Sequence, residues 1–235
     1  MRKTLFMNKL NHFSHIALFA ALLIIAAQTS ASTTNTSDSN TVKDKEREAS
    51  GIITIDTLIL AGGCFWCVES DFEKHPGVID VVSGYTGGSK KNPSYKDVTF
   101  NNTGHYEAVK ITFDVERTNV KELTEYFWST IDPTDPHGQF CDKGHSYKSA
   151  LFYQNEQQKT IFEESLAYLK QNKPFKGEIA TKILSAKTFY LAEEYHQDYY
   201  AKSPFKYYFY RTGCGRDSRV KQLWGNIASK QFDNN

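Results

Sequence analysis

The sequence predicts an α+β domain in which helices pack against an antiparallel or mixed sheet. Short apolar runs of strand length alternate with segments of helical periodicity, and glycine and proline clusters separate them. The composition fits a globular fold, because 40% of the residues are hydrophobic and only 4 of the 235 are cysteine. A disordered chain, a collagen-like repeat and a disulfide-dense miniature scaffold are therefore excluded.

Four segments have the length and apolar content of β-strands. They are residues 57–61, 78–85, 108–113 and 150–153. The first ends at Gly62 and Gly63, and the third alternates apolar and polar side chains as a half-buried strand does. Between the second and third strands we expect a loop around Asn92 and Pro93.

Three segments have the periodicity or the capping residues of helices. They are residues 64–74, a helix that begins at Asn119, and residues from about 157 to 171. Asn119 is followed three residues later by Glu122, and this spacing is typical of a helix start. The C-terminal tail is expected to add further short helices.

The elements follow in the order strand, helix, strand, strand, helix, strand. That order is typical of a ferredoxin-like split βαβ core with both helices on one face of the sheet. No internal repeat and no second low-complexity stretch interrupts residues 51–235. We therefore expect one domain over these residues, extended by C-terminal helices.

The N-terminal 31 residues have the pattern of an export signal. Arg2, Lys3 and Lys9 precede an unbroken apolar run over residues 16–27, and small residues follow it. Residues 32–50 are rich in Ser, Thr, Asn and charged side chains, which predicts a disordered linker. We expect an exported protein, periplasmic or secreted, and the alternative is a membrane anchor formed by an uncleaved segment.

The charge of the chain after that segment argues against some partners. The first 31 residues hold three of the 28 Lys and Arg and none of the 27 Asp and Glu, so the remainder carries 25 against 27, a net charge of −2. Such a balance does not favour nucleic acid or an anionic membrane as a partner. We expect a monomer.

The chemistry concentrates where the first strand meets the first helix, at Cys64. The two preceding glycines allow a sharp turn, and the first helical turn directs unpaired N–H groups toward the sulfur. A thiol at this position should ionise more easily than a free cysteine, so Cys64 is a candidate nucleophile. The alternative is that Cys64 and Cys67 are buried small residues or form a structural disulfide.

The residues around Cys64 resemble the signature of the A-type peptide methionine sulfoxide reductases, which act on the S epimer. The resemblance continues in order along nearly the whole domain. Its blocks are GGCFWCVE (62–69), GYTGG (84–88), PSY (93–95), GHYEAV (104–109), DPT (132–134), GQFCD (138–142), GHSYKSA (144–150) and EYHQDY (194–199).

The resemblance implies a role for each residue of the site. Glu107 matches the acid that protonates the sulfoxide oxygen, and burial in an aromatic pocket would favour its neutral form. Tyr95 and Tyr147 match the hydroxyl donors to the sulfoxide oxygen, and Asp142 matches their polar partner. Phe65 and Trp66 match the aromatic pair that receives the S-methyl group, and Gly63 matches the glycine of the substrate site beside the thiol. The family implies no cofactor, only an external thioredoxin-like thiol donor. Its substrate is methionine sulfoxide, free or in oxidised proteins.

The sequence departs from the common family pattern at its other cysteines. Position 67 is Cys where many members carry Gly, position 141 is Cys, and the tail around Cys214 lacks the familiar glycine-rich ending. A sulfenic acid on Cys64 must condense with another thiol. Cys214 is the first choice for this resolving thiol and Cys67 the second, whereas Cys141 is expected in a pocket wall.

Three other interpretations remain open from the residues. His137, Cys141 and His145 are spaced four apart, but Pro136, Gly138 and Gly144 break the helix that would align them, so we expect no metal. Cys64 and Cys67 could instead serve a general thiol–disulfide oxidoreductase. A noncatalytic exported binding domain would have all four cysteines paired.

Overall fold

The computed structural model describes residues 53–225, and this part of the chain forms one α+β unit. The predicted export signal (1–31) and linker (32–50) lie outside the described residues. Within them, no helix combines the length and the apolar character that a membrane crossing requires.

The strands begin and end close to the predicted positions, and four additional strands are present in the described residues. The strands are β1 (Ile55–Gly62), β2 (Val78–Thr86), β3 (Tyr106–Asp114), β4 (Gly138–Gln139), β5 (Asp142–Lys143), β6 (Ser149–Tyr153), β7 (Lys182–Ser185) and β8 (Tyr190–Leu191). The helices are α1 (Phe65–Phe72), α2 (Tyr95–Phe100), α3 (Val120–Thr130), α4 (Glu156–Asn172), α5 (Tyr199–Lys202), α6 (Pro204–Gly213) and α7 (Arg216–Trp224). Short 3-10 turns cover His145–Tyr147 and Glu194–His196.

The main sheet confirms the predicted ferredoxin-like core. Its six strands lie in the order β7-β6-β1-β3-β2-β8, and the four predicted strands pair antiparallel. Strand β7 pairs parallel to β6, so the complete sheet is mixed. Strands β4 and β5 form a separate two-stranded ribbon.

Alternation along the central strands divides their side chains between two cores. Leu58 and Leu60 of β1 belong to the larger core, which α1 and α3 cover together with α4 and α7. Ile59 and Ala61 point to the opposite face, where they pack with Tyr106 and other residues in a smaller cluster. The helices therefore pack mainly on one face, as the sequence predicts.

The predicted loop after β2 is partly wrong, because residues 95–100 form helix α2. Ser94 accepts a hydrogen bond from the Asp97 N–H, and the Asp97 carboxylate accepts one from the Ser94 N–H. This reciprocal cap stabilises a helix too short to show periodicity. The cap predicted at Asn119 is confirmed, since its side-chain oxygen accepts from the Glu122 N–H at 3.0 Å.

The turn between β1 and α1 depends on Gly63. Its φ of +85° is in the left-handed region, and a Cβ there would lie 2.5 Å from Cβ of Gln139. Gly63→Ala should therefore lower the free energy of unfolding by about 1–2 kcal/mol or more, measured by urea denaturation. Gly213→Ala is the matched control, because an added Cβ meets nothing within 4 Å on helix α6. Equal stability of the two variants would contradict this account.

Candidate active site

The β1–α1 junction places Cys64 at the end of a buried strand and the start of a helix. Cys64 is the N-terminal cap residue of α1, and its carbonyl oxygen accepts from the Cys67 N–H at 3.1 Å and the Val68 N–H at 3.4 Å. Gly63 brings the preceding backbone against Gln139, where no side chain would fit. The backbone geometry therefore fixes the position of the sulfur.

The expectation that Cys64 ionises readily is wrong for this state of the molecule. Cys64 is 5% exposed, and burial raises the pKa of its thiol well above the ordinary value, with Cys67 adding to the shift. The pKa of Cys67 is lowered instead, because the Cys64 thiol donates a hydrogen bond to it and Arg216 and Arg211 are nearby. The more acidic member of the pair is therefore Cys67.

Glu107 lies on β3 beside the start of helix α1. Its Oε2 accepts a hydrogen bond from the Phe65 N–H at 3.1 Å, and the residue is 2% exposed. Burial raises the pKa of Glu107 to about 8, although the Phe65 hydrogen bond opposes this shift. At neutral pH the carboxyl group is mostly protonated, as the sequence analysis expects, and it can donate a proton.

Tyr95 and Tyr147 meet at this carboxyl group. The Tyr147 hydroxyl is within hydrogen-bonding reach of both Glu107 and the Tyr95 hydroxyl. Burial raises the pKa of both tyrosines, so both remain neutral donors. Tyr95 begins helix α2, and its N–H donates to Glu193 at 2.9 Å. The predicted acid and its two hydroxyl neighbours are therefore assembled.

Asp142 lies on the ribbon strand β5 and is half-buried. Its carboxylate accepts a hydrogen bond from the Tyr210 hydroxyl of helix α6. Burial raises the pKa of Asp142, although the Tyr210 hydrogen bond opposes this shift. Tyr210 also reaches the Cys64 thiol, and its ring lies edge-on to Trp66 with centroids 5.7 Å apart.

The two predicted aromatic residues have different environments. Phe65 is 1% exposed and belongs to the main core. Trp66 is half-buried, its ring stacks on Tyr199 with centroids 3.8 Å apart, and its Nε1–H donates to Nδ1 of His196 at 3.1 Å. Trp66 can therefore offer a surface at the site, while Phe65 supports it from within.

Sequence reasoning missed four residues of this site: Tyr210, Glu193, His196 and Tyr199. Glu193 accepts from the Tyr85 hydroxyl at 2.8 Å as well as from the Tyr95 N–H. The His196 ring lies 4.5 Å from that of Tyr95, between centroids. His196 and Tyr199 lie within a block that carried the resemblance, whereas Tyr210 had no signal beyond its place one helical turn before Cys214.

The cysteines are divided into a free pair and a disulfide. Cys141 and Cys214 are disulfide-bonded with their Cα atoms 4.8 Å apart, whereas Cys64 and Cys67 are free. Cys141 is exposed at the surface, and its expected place in a pocket wall stays a prediction. The binding-domain interpretation required four paired cysteines and is wrong.

The metal arrangement considered in the sequence does not form. Cys141 is oxidised, and Nε2 of His145 is hydrogen-bonded to the carbonyl of Gly104 at 3.0 Å. His137 belongs to no group of metal-ligating atoms within residues 53–225.

A second group of carboxylates lies at the C-terminal end of α1. Glu69, Glu73 and Asp198 bring oxygens within 4.8 Å of one another, but protein donors already contact them. The Asp198 N–H donates to Glu69, Tyr200 donates to Glu73, and Lys202 pairs with Asp198. Burial raises the pKa of Glu69 to about 8, so this group carries less charge than its composition suggests.

Comparisons with known proteins give the family of this chain. The model of the family described as peptide methionine sulfoxide reductase matches residues 56–228. The chain belongs to this family. The chain is 50% identical over 171 residues to the peptide methionine sulfoxide reductase MsrA of Bacillus licheniformis, covering 73% of this chain and 94% of that protein. It is 49% identical over 170 residues to MsrA 2 of Caulobacter vibrioides, covering 72% and 86%.

Solved structures of related proteins have the same fold. The reduced form of Mxr1 from Saccharomyces cerevisiae superposes with a TM-score of 0.59 at 31% identity, covering 64% of this chain and 86% of that one. Methionine sulfoxide reductase A of Corynebacterium diphtheriae gives 0.57 at 30% identity, covering 64% and 76%. The protein is therefore an oxidoreductase of the A-type methionine sulfoxide reductases, and the two alternative functional classes are set aside.

Two carboxyl groups should titrate near pH 8 in the folded protein, because burial raises the pKa of both Glu69 and Glu107. Infrared absorption of protonated carboxyl groups should persist at pH 6.5 and disappear by about pH 10. Glu69→Gln and Glu107→Gln should each remove one of the two titrating groups. Loss of the whole signal by pH 6 in the wild-type protein would contradict the assignment.

Proposed function

We propose that the protein reduces the S epimer of methionine sulfoxide, free or within oxidised proteins, through a sulfenic acid on Cys64. The observation that carries this proposal is the neutral Glu107 carboxyl, buried beside Cys64 with Tyr95 and Tyr147 at hand. A sulfoxide oxygen leaves readily only when it is protonated. The site holds a proton donor at neutral pH next to a sulfur nucleophile, as that reaction requires.

In the first step the sulfur of Cys64 attacks the sulfoxide sulfur while Glu107 protonates the oxygen. Tyr95 and Tyr147 stabilise that oxygen by hydrogen bonding as its charge changes. The thiol proton passes to the Glu107 carboxylate, which restores the acid. The S–O bond of the sulfoxide and the bond between the two sulfurs break as the hydroxyl group moves to Cys64, so methionine is released and Cys64 becomes a sulfenic acid. The ring of Trp66 offers the S-methyl group an apolar surface.

In the second step Cys67 condenses with the sulfenic acid, forming the Cys64–Cys67 disulfide and releasing water. The direct contact of Cys67 with Cys64, and the nearby Arg216 and Arg211 that lower the pKa of Cys67, support this order over direct attack by Cys214. The thiols of Cys141 and Cys214 then exchange with the new disulfide, which restores the free thiols of Cys64 and Cys67. The state with free Cys64 and Cys67 and a Cys141–Cys214 disulfide is the product of that exchange.

An external dithiol of the thioredoxin class then reduces the Cys141–Cys214 disulfide. Cys141 is the exposed member, so it is the sulfur that such a donor reaches. The pattern of residues 1–31 supports an exported enzyme, periplasmic or secreted, that protects or repairs exported proteins. Retention of that segment as a membrane anchor is the alternative location.

Turnover of the two separated sulfoxide epimers tests the proposed roles. Cys64→Ser should abolish reduction of the S epimer, and Glu107→Gln should lower kcat by about 10²–10⁴-fold. Glu69→Gln is the matched control, because the pKa of Glu69 is raised to a similar value but Glu69 does not interact with Tyr95 or Tyr147. An unchanged rate in Glu107→Gln, or reduction of the R epimer alone, would refute the proposal.

The pH dependence of the first turnover follows from the direction of the Glu107 shift. The acid form is populated below a pKa of about 8, so the rate should fall as pH rises through that value, by about tenfold per unit above it. Single-turnover rates in Glu107→Gln should lack this decline. A wild-type rate that keeps rising to pH 10 would show that Glu107 is not the proton donor.

Single-turnover experiments on the reduced protein test the role of Cys67. Cys67→Ser should release one equivalent of methionine at the wild-type rate but leave a sulfenic acid that a dimedone probe traps on Cys64. In the wild-type protein this adduct should be minor. If Cys67→Ser formed the Cys141–Cys214 disulfide in normal yield, the thiol that resolves the sulfenic acid would instead be Cys214.

A further inference from the structure

The Tyr210 side chain contacts the buried nucleophile in this state. It contacts three groups: its hydroxyl donates to Asp142 and lies within hydrogen-bonding reach of the Cys64 thiol, and its ring is edge-on to Trp66. The proposed reaction uses these same groups, the thiol for attack, the indole for the methyl group and the carboxylate as a polar partner. A sulfoxide that reacts in the proposed way would have to contact the same three groups that Tyr210 contacts.

We propose that Tyr210 is a redox-controlled plug, which fills the substrate position while the Cys141–Cys214 disulfide is closed and leaves it when that disulfide is reduced. The assignment of the filled volume to substrate rests on the proposed function. The accessibility of Cys64 does not rest on it and can be measured separately.

The position of the disulfide explains why it controls Tyr210. Cys214 ends helix α6, and its N–H donates to the carbonyl of Tyr210 at 2.9 Å. Cys141 directly precedes Asp142, whose carboxylate receives the Tyr210 hydroxyl. One covalent bond therefore joins the helix that carries the donor to the strand that carries the acceptor, and it holds the two together.

Helix α6 has little else to hold it on the domain. None of its residues is fully buried, and Phe205, Tyr208 and Phe209 are 81%, 65% and 75% exposed. Besides Tyr210, its polar ties to the rest of the domain include the ion pair of Arg211 with the buried Asp71, at 2.7 Å, and a hydrogen-bonding contact of Tyr207 with Ser70. A segment with so few buried contacts opens at low free-energy cost once a covalent restraint is removed.

The plug would give the catalytic cycle a fixed order. While the Cys141–Cys214 disulfide is closed, a second turnover would oxidise Cys64 and Cys67 to a disulfide. Neither Cys141 nor Cys214 would then be a free thiol that could reduce it. A filled site prevents that turnover. A dithiol donor transfers two electrons and two protons to the disulfide, becomes a disulfide itself and releases α6, so substrate enters only after the reductant has acted.

Alkylation of Cys64 by iodoacetamide tests the plug without any sulfoxide. Mass spectrometric fragmentation separates Cys64 from Cys67 on their shared peptide. In the full-length disulfide form labelling of Cys64 should be slow. Cys141→Ser, which cannot close the disulfide, and Tyr210→Ala with its disulfide intact should both label Cys64 about tenfold faster or more.

Tyr208→Ala is the matched control, because Tyr208 lies on the exposed face of the same helix. It should label Cys64 at the slow wild-type rate, which separates removal of the plug from general loosening of α6. Tyr210→Phe keeps the ring and loses both hydroxyl contacts, so its rate should lie between those of the wild type and Tyr210→Ala. It also replaces the Ala variant if that variant does not fold.

Equal labelling rates in the wild-type disulfide form and in Cys141→Ser would overturn the control by the disulfide. A slow rate in both Tyr210 variants would overturn the assignment of the plug. Failure of the proposed function has a different signature, since the labelling differences would then persist while the reduced protein leaves both sulfoxide epimers unchanged.

Discussion

The hydrogen bond from the Phe65 N–H to the Glu107 carboxyl group is the contact on which the site depends. It uses a backbone donor of the first helical turn, which is a group that could otherwise stabilise a thiolate at Cys64. Because Glu107 takes this donor, the carboxyl and the thiol share one buried pocket at the β1–α1 junction. Burial then favours the neutral form of each, and a negative charge on Glu107 would oppose ionisation of Cys64. The pocket thus keeps Glu107 protonated, as a proton donor requires. It also disfavours the thiolate of Cys64, so that thiol becomes reactive only when its surroundings change, either on opening of the pocket or on binding of a sulfoxide.

The C-terminal helices are part of this site, although the sequence analysis treated the tail as an addition to the core. Arg216 is 2% exposed and donates to the carbonyl oxygens of Gly62 and Thr130. It therefore ties the end of β1 and the end of α3 to the start of α7. The hydrogen bond from Cys64 is the main cause that lowers the pKa of Cys67, and the positive charges of Arg216 and Arg211 add to it, whereas the buried Asp71 that pairs with both arginines opposes it. The tail consequently supplies part of the electrostatics of the cysteine pair and the tyrosine that contacts Cys64.

Local sequence determined the parts of the fold that could be predicted. The alternation along β3, the glycine pair before Cys64 and the Asn119 cap each act over a few residues, and each is found in the structure. Helix α2 was missed because six residues are too few for periodicity, although its Ser94 and Asp97 cap was present in the sequence. The acid Glu107 was identified only through the resemblance, since an alternating strand gives no sign of which polar residue is buried.

The remaining errors concern contacts between distant segments. Tyr210 and Asp142 are 68 residues apart, and four cysteines allow three pairings that sequence alone does not distinguish. The ionisation of Cys64 was predicted in the wrong direction because the helix terminus is a local feature, whereas desolvation depends on everything that packs over the sulfur.

The absence of methionine from the domain fits a protein that works among oxidants. Both methionines of the chain, Met1 and Met7, lie within the predicted export signal. A core methionine converted to sulfoxide becomes polar and disrupts its packing. This domain fills its main core with residues such as Phe72, Phe127 and Leu151 instead, so it contains no side chain of the kind that it reduces. An enzyme built in this way keeps its fold under the conditions that generate its substrate.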